Sequence, residues 1–274
     1  MVAFIVLPAI AVVALSLTNW IGIGAIQKLI GLDNFSFLLD QGGFADALRI
    51  SVVYTAVVTV VSTGFGYILA SLIHLRLRGW RFYKVAWFIP VVIPGTVTAI
   101  LWSGGVFTPT TGFLDSVSTA LGLAIPPQGW LGDGFHGLIA IMVTAVWAST
   151  GWPMLILSAG MERIPKDYFE AAALDGATWW QRTRFIVLPA MAPVISTVLL
   201  IQLVFGLKAF DIVYVMTGGG PDNATRTMGL LMYQWAFTNG EFARGAATAV
   251  LIFIVIVPVA LLQRRLSSVS QWRS

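Results

Sequence analysis

The chain has 274 residues, of which 58% are hydrophobic and only 10% charged, and its mean hydropathy is +0.86. A soluble domain carries roughly 25% charged residues and needs polar surface to cover its core. The composition therefore excludes a disordered chain, a nucleic-acid-binding module and an ordinary water-soluble enzyme, and it describes a molecule whose outer surface faces lipid. The absence of cysteine excludes a disulfide scaffold, a thiolate metal site and a cysteine nucleophile. His74 and His136 are far apart in sequence, so no histidine metal site is expected.

A membrane-crossing helix needs about 20 mostly apolar residues. In chain order six stretches qualify as expected spans: approximately 2–17, 48–73, 85–103, 135–160, 190–215 and 246–262. The first lacks the basic lead-in of a signal peptide and is followed by five more spans, so it reads as an uncleaved first span, with a longer natural N-terminus compatible with the sequence. Tyr54, Thr55 and Thr59 give the second a polar face suited to interhelical hydrogen bonds. Pro90 and Pro94 predict a kink in the third.

The loops after the second, fourth and sixth stretches carry Arg76, Arg78, Arg81, Lys84, Arg163, Lys166, Arg182, Arg184, Arg264, Arg265 and Arg273, which is 11 of the 16 basic residues. That excess marks the cytoplasmic side and puts both termini there. The net charge of +4 and the pI of about 9.6 thus reflect topology and not a nucleic-acid partner.

The outer loops, about residues 18–47, 104–134 and 216–245, are rich in Gly, Pro, Asp and Asn. In the second of them Phe113, Leu114, Val117, Leu121 and Ala124 fall near one helical face. Two readings stand for that segment: a helix lying flat at the interface, or a lid packed over the bundle. No linker, heptad or internal repeat divides the chain, and residues 1–274 read as a single membrane domain.

Residues 161–189 gather ionisable groups in a chain otherwise poor in them. Pro165 suits a first helical turn, and Asp167 and Glu170 complement the positive end of the helix. Ala171, Ala172 and Ala173 are strong helix formers, and Gly176 can end the helix in the left-handed conformation. Thr178 with Gln181 fits a capping box for a second short helix, with Trp179 and Trp180 at headgroup level and Pro189 at the start of the fifth span. An ordinary amphipathic connector and a docking elbow both fit this pattern.

The spacing Glu170-Ala171-Ala172, Gly176, Ile186 and Leu188-Pro189 resembles the EAA loop of binding-protein-dependent ABC importer permeases. A second stretch, Phe210-Asp211, Tyr214, Thr217 and Gly219-Gly220-Pro221, is similar to carbohydrate and glycerol-phosphate permeases of the MalF/UgpA type, and Asn223-Ala224-Thr225, Tyr233 and Ala236-Phe237 continue it. The likeness runs from the second span to the end of the chain and departs at the N-terminus, where the family carries a basic lead. It implies an all-α polytopic membrane protein of six transmembrane helices with a cytoplasmic coupling helix. Glu170, Ala171, Ala172, Asp175 and Gly176 would engage a separate ATPase: Glu170 pairing with a base, the alanines packing in a groove, and Gly176 making the turn.

The resemblance also implies the partners: a second, similar permease, two ATPase subunits and an extracytoplasmic solute-binding protein. No Walker A sequence occurs in this chain. No cofactor is expected on it; ATP and Mg would be bound by the ATPase, and the chain itself is a transport subunit and not an enzyme. The expected location is the plasma or inner membrane of a bacterium or archaeon.

Polar groups within apolar spans are functional candidates. Gln202, Lys208 and Asp211 in the fifth stretch and Trp147 and Trp152 in the fourth are the candidate pathway residues. Lys208 and Asp211 stand three apart and could equally be a structural pair along one helix; the tryptophans stack on sugars in one reading and only pack in the other. Gly206 and Ala209 match solute-contacting positions of the family but are too small for side-chain hydrogen bonds. One cation near the membrane favours a neutral mono- or oligosaccharide over glycerol phosphate. A self-contained channel or secondary transporter is the competing class, and it would need intramembrane carboxylates or its own gate.

Overall fold

The computed structural model describes residues 2–24 and 28–271, with side chains described for 4–24 and 28–261. Arg273 lies outside the described residues, as do the side chains of Arg264 and Arg265. The described chain is helical almost throughout. In order the helices are α1 (Val2–Ser16), α2 (Asp33–Asp40), α3 (Phe44–His74), α4 (Trp80–Val92), α5 (Gly95–Gly105), α6 (Phe113–Ala120) and α7 (Gly134–Ser149). Then come α8 (Gly151–Met161), α9 (Lys166–Leu174), α10 (Trp179–Arg182), α11 (Leu188–Leu207), α12 (Asp211–Met216), α13 (Met228–Tyr233) and α14 (Phe242–Gln271).

Four helical stretches are long and apolar enough to cross a membrane: Phe44–His74, Gly134–Met161, Trp179–Leu207 and Phe242–Leu261. The pair α4 and α5 makes a fifth if counted together, and the apolar helix Phe4–Ser16 is shorter. The long helix α3 is the axis of the molecule. It packs along α8 and α11, and its buried face carries Ser51, Thr55, Thr59, Ser62 and Gly66 beside Tyr54, Val58, Leu69 and Ala70.

Two expected spans have different boundaries. The third is not a kinked helix but a broken one, with α4 and α5 meeting at 103°. Ile93 is extended (φ −77°, ψ 127°), as a residue preceding proline prefers, and Pro94 then caps α5 from outside. The fifth begins at Trp179, well before residue 190, and ends at Leu207. Its early start needs a device at Pro189, which lacks an N–H and whose ring crowds the carbonyl four residues back. A π-turn over Thr183–Val187 directly precedes it and accommodates that loss within one continuous helix. After Leu207 the chain turns at Lys208 (φ −100°, ψ 11°) and restarts as α12.

The third outer segment is no surface loop. Met228, Leu230 and Leu231 in α13 are fully buried, because this apolar turn plugs between α3, α12 and α14. The Thr227 hydroxyl donates to the Ala209 carbonyl at 2.7 Å, and the Met228 N–H donates to the Ser51 hydroxyl at 2.8 Å. In the second of the segments expected as outer loops, α6 packs on the bundle, as the lid reading expected. Asp115 of α6 is buried, accepting from Trp130 Nε1 and from the Thr110 N–H at 2.6 Å each, while Phe113 and Leu121 stay exposed.

Candidate functional site

The ends of α11 and α12, the break between α4 and α5, and the N-terminal half of α3 enclose a groove of about 490 Å³. Its lining includes Tyr54, Gly95, Trp152, Gln202, Lys208 and Asp211. Four of the five candidate pathway residues are thus brought together. Trp147 is not among the lining; it packs on Trp102 with ring centroids 5.4 Å apart.

Lys208 and Asp211 do not pair along a helix, because the helix has ended between them. Among the described residues the ion pairs are His136–Asp133 and Arg244–Glu241, neither of them involving Lys208 or Asp211. Lys208 Nζ instead lies 5.6 Å from the Phe205 ring centroid, and Asp211 opens α12 against Gly95. Both side chains are exposed to the groove, so a cation and a carboxylate are presented together to whatever enters it.

Gln202 is 6% exposed, and its Nε2 has no hydrogen-bond partner. The Oγ1 atoms of Thr55, Thr59 and Thr63 on α3 and of Thr98 on α5 are likewise buried and unpaired. A buried polar atom without a partner costs about 1–3 kcal/mol. Arg226 Nε is in the same state, and of these residues Gln202 lines the groove. The unpaired hydroxyls correct the expectation that Thr55 and Thr59 join neighbouring helices by hydrogen bonds. Interhelical hydroxyl contacts come instead from Ser62 with Ser149, at 3.0 Å, and from Ser51. Thr63 and Thr98 escaped the sequence reading. Thr55, Thr59 and Thr63 recur every four residues, which places them on one stripe, and that spacing was the available signal. Thr98 carried none, since the α4/α5 break decides where it points.

Gly206 and Ala209 supply no polar contact. Gly206 is small because α3 lies against it: a Cβ there would stand 2.7 Å from Thr55 Cγ2.

The second candidate region is the elbow formed by α9 and α10. Pro165 stands just before α9, in the cap position, with an extended ψ of 137°. Helix α9 closes in a Schellman motif: the Gly176 N–H donates to the Ala173 carbonyl at 3.2 Å and the Ala177 N–H to the Ala172 carbonyl at 2.9 Å, with Gly176 at φ +71°. Thr178 and Gln181 form the capping box that starts α10. Glu170, Ala171, Asp175 and Gly176 are exposed and Ala172 is half-buried. Only Phe169 and Ala172 of α9 turn towards the bundle, and Phe169 packs on the His74 ring at 6.0 Å.

Electrostatics outside the spans is local. Asp133 caps α7 and is held below the usual carboxylate range, first by the His136 backbone N–H and then by the His136 side chain. Arg226 is pushed below the usual guanidinium range by burial, partly opposed by the charge of Asp46.

The family described as "Binding-protein-dependent transport system inner membrane component" matches residues 62–268. The chain is 32% identical over 252 residues to the multiple sugar-binding transport system permease protein MsmF of Streptococcus mutans, covering 92% of this chain and 86% of that one. It is 30% identical over 254 residues to the trehalose/maltose transport system permease protein MalF of Thermococcus litoralis, covering 93% and 85%. A crystal structure of a bacterial ABC transporter that imports the acidic polysaccharide alginate shares the fold, with a TM-score of 0.82 at 19% identity over 97% of this chain and 90% of that one. With the family match spanning most of its length, the chain belongs to the binding-protein-dependent transport system inner membrane components, the permease subunits of ABC transporters.

Proposed function

We propose that this chain forms half of the translocation pathway of an ATP-driven importer for a neutral mono- or oligosaccharide. The observation that carries the reading is the groove, where an exposed tryptophan face, Trp152, stands beside the unpaired amide of Gln202 and the Lys208 and Asp211 side chains. An indole stacks on the apolar face of a sugar ring, and amide, ammonium and carboxylate serve its hydroxyls. A doubly charged phosphate would require more than the single cation found there. The relatives named for multiple sugars and for trehalose and maltose support the same class.

Residues 1–274 act as one permease domain of six membrane passages, counting α1 and the broken α4/α5 as one passage each, with both termini cytoplasmic. A second, similar permease completes the pathway. An extracytoplasmic solute-binding protein delivers the sugar, and two ATPase subunits bind ATP and Mg. The chain itself catalyses no reaction. Glu170, Ala171, Ala172, Asp175 and Gly176 form the surface gripped by the ATPase.

The elbow is joined to the groove by a rod. Residues Trp179–Leu207 form one helix of 29 residues, about 43 Å at 1.5 Å per residue. The Schellman turn and the capping box hold α9 to its base, and Gln202 lies near its far end. Movement of α9 on ATP binding is thereby delivered to one wall of the groove, while α3 holds the other. The test is uptake of radiolabelled sugars by proteoliposomes carrying the assembled transporter, its ATPase and its binding protein, with ATP inside. ATP-dependent accumulation of a sugar supports the reading; uptake by the chain alone, without the ATPase, refutes it.

A further inference from the structure

Beneath the elbow, on the side of α9 turned away from solvent, lies a second cavity of about 260 Å³. Tyr67, Ser71 and His74 reach it from α3, Phe169 from α9, and Arg182 and Thr183 from the start of the long helix. Tyr67, Ser71 and His74 are spaced four and three apart, so one face of α3 forms a continuous wall. The lining holds a guanidinium, an imidazole and three hydroxyls, and no carboxylate.

The guanidinium is fixed in place. Arg182 Nε donates to the Ala177 carbonyl at 2.9 Å, tying the side chain to the turn that follows Gly176. That bond uses one of the five donors of the fork, and no ion pair or other side-chain hydrogen bond is found for Arg182 among the described residues. A held arginine with its terminal donors open, facing a histidine across a pocket free of acid, is the arrangement that recognises a tetrahedral oxyanion. The volume accommodates a phosphate with a small organic group attached. The exposed indole of Trp179 lines the pocket with that of Trp180 next to it, and indole rings favour the headgroup level of a membrane.

We propose that the pocket between α3 and the elbow binds a phosphate group through Arg182 and His74. The phosphate belongs either to an anionic lipid headgroup or to a soluble phosphomonoester of the cytoplasm. The bound group bridges α3 to the base of the long helix. This goes beyond the transport reading, because the binding depends neither on the identity of the sugar nor on the coupling role of α9.

The experiment is native mass spectrometry of the assembled transporter in two arms. One titrates phosphatidylglycerol against diacylglycerol, which lacks the phosphate; the other titrates glucose 6-phosphate against glucose. The wild type is expected to retain the phosphate-bearing probe over its neutral control in one arm, and that arm names the source. Arg182→Gln with His74→Gln lowers the affinity by about tenfold or more, the scale of one charge-assisted hydrogen bond to a charged group. Arg184→Gln, an exposed cation outside the pocket, leaves it unchanged. Should the double variant fail to assemble, His74→Gln alone keeps the Arg182–Ala177 bond and is expected to weaken retention. Equal retention of charged and neutral probes in both arms, or wild-type affinity in the His74 and Arg182 variants, overturns the proposal. The readout is binding and not uptake, so its failure leaves the transport reading standing.

Discussion

The carboxylate of Asp211 lies against Gly95, so that a Cβ built on the glycine would stand 3.2 Å from both Asp211 Oδ2 and Asp211 Cβ. The first residue of α5 and the first residue of α12 therefore meet at the corner where the third passage breaks. Gly95→Ala crowds both the Asp211 carboxylate and its Cβ, which the backbone fixes, so the corner gives by a few tenths of an ångström and the carboxylate shifts with it. The expected result is normal assembly with the ATPase and a KM for uptake raised severalfold, about 1 kcal/mol of lost solute contact. Uptake kinetics of the variant with wild-type protein levels check it; an unchanged KM removes Asp211 from the groove's chemistry.

Gly206 and Thr55 set the distance between α11 and α3. A methyl at 206 would meet Thr55 Cγ2 at 2.7 Å and Oγ1 at 2.9 Å, and both residues are buried. Gly206→Ala is expected to destabilise by about 1–3 kcal/mol, the usual scale of overpacking. Thr55→Ala removes both of those atoms, so the double variant should regain most of the loss. Thermal melts of the four members of the cycle measure the coupling, and strict additivity would show that the two helices part freely.

Much of this arrangement is legible in the sequence. The long apolar stretches, the capping box at Thr178 and the turn at Gly176 each follow from local chemistry that tertiary packing does not override. The broken passage was half legible: Pro90 and Pro94 announced a disturbance, but a 103° corner is decided by where α12 packs against α5. Lys208 and Asp211 looked like a helical pair because three-residue spacing presumes a continuous helix, and nothing local announces that α11 ends at Leu207. Met228–Tyr233 lay hidden among the Gly, Pro and Asn of an outer segment, too short for periodicity to distinguish a buried turn from a loop.

Gln202 offers a test that separates folding from function. Its Nε2 is buried without a partner, so replacing the amide by an apolar group of similar size removes a desolvation cost. Gln202→Leu is expected to melt no lower than wild type, and as much as about 1 kcal/mol higher in stability, while uptake falls. A variant less stable by more than about 1 kcal/mol would mean that the amide is satisfied in the folded protein.

The N-terminal end of α7 should respond to acid. The His136 N–H and ring hold Asp133 below its ordinary carboxylate range. A carboxyl whose folded value lies below its unfolded value, about 3.9, contributes stability above that pH and loses it as the pH falls through the folded value. The cap is thus intact at neutral pH and loosens below about pH 4. Trp130, whose ring lies 6.1 Å from that of His136, reports the change by fluorescence. Asp133→Asn, which still caps the helix, is expected to abolish the acid limb of the titration; an unchanged limb would assign it to another group.

The elbow is where a local rule carries the largest consequence. Gly176 sits at φ +71°, and a Cβ added there would have no atom within 4 Å, so substitution meets backbone strain and not a clash. Gly176→Val resists positive φ and should open the Schellman turn, at a local cost of about 1–2 kcal/mol. It would release α9 from the rod without disturbing the buried spans. Glu170→Lys leaves that turn intact and only reverses a surface charge. Both variants are expected to insert normally and to lose binding-protein-stimulated ATP hydrolysis and uptake together. They should differ in hydrogen exchange, where the amides of Gly176 and Ala177 lose protection in Gly176→Val and keep it in Glu170→Lys. Stimulated hydrolysis at the wild-type rate in both would mean that the ATPase grips another surface.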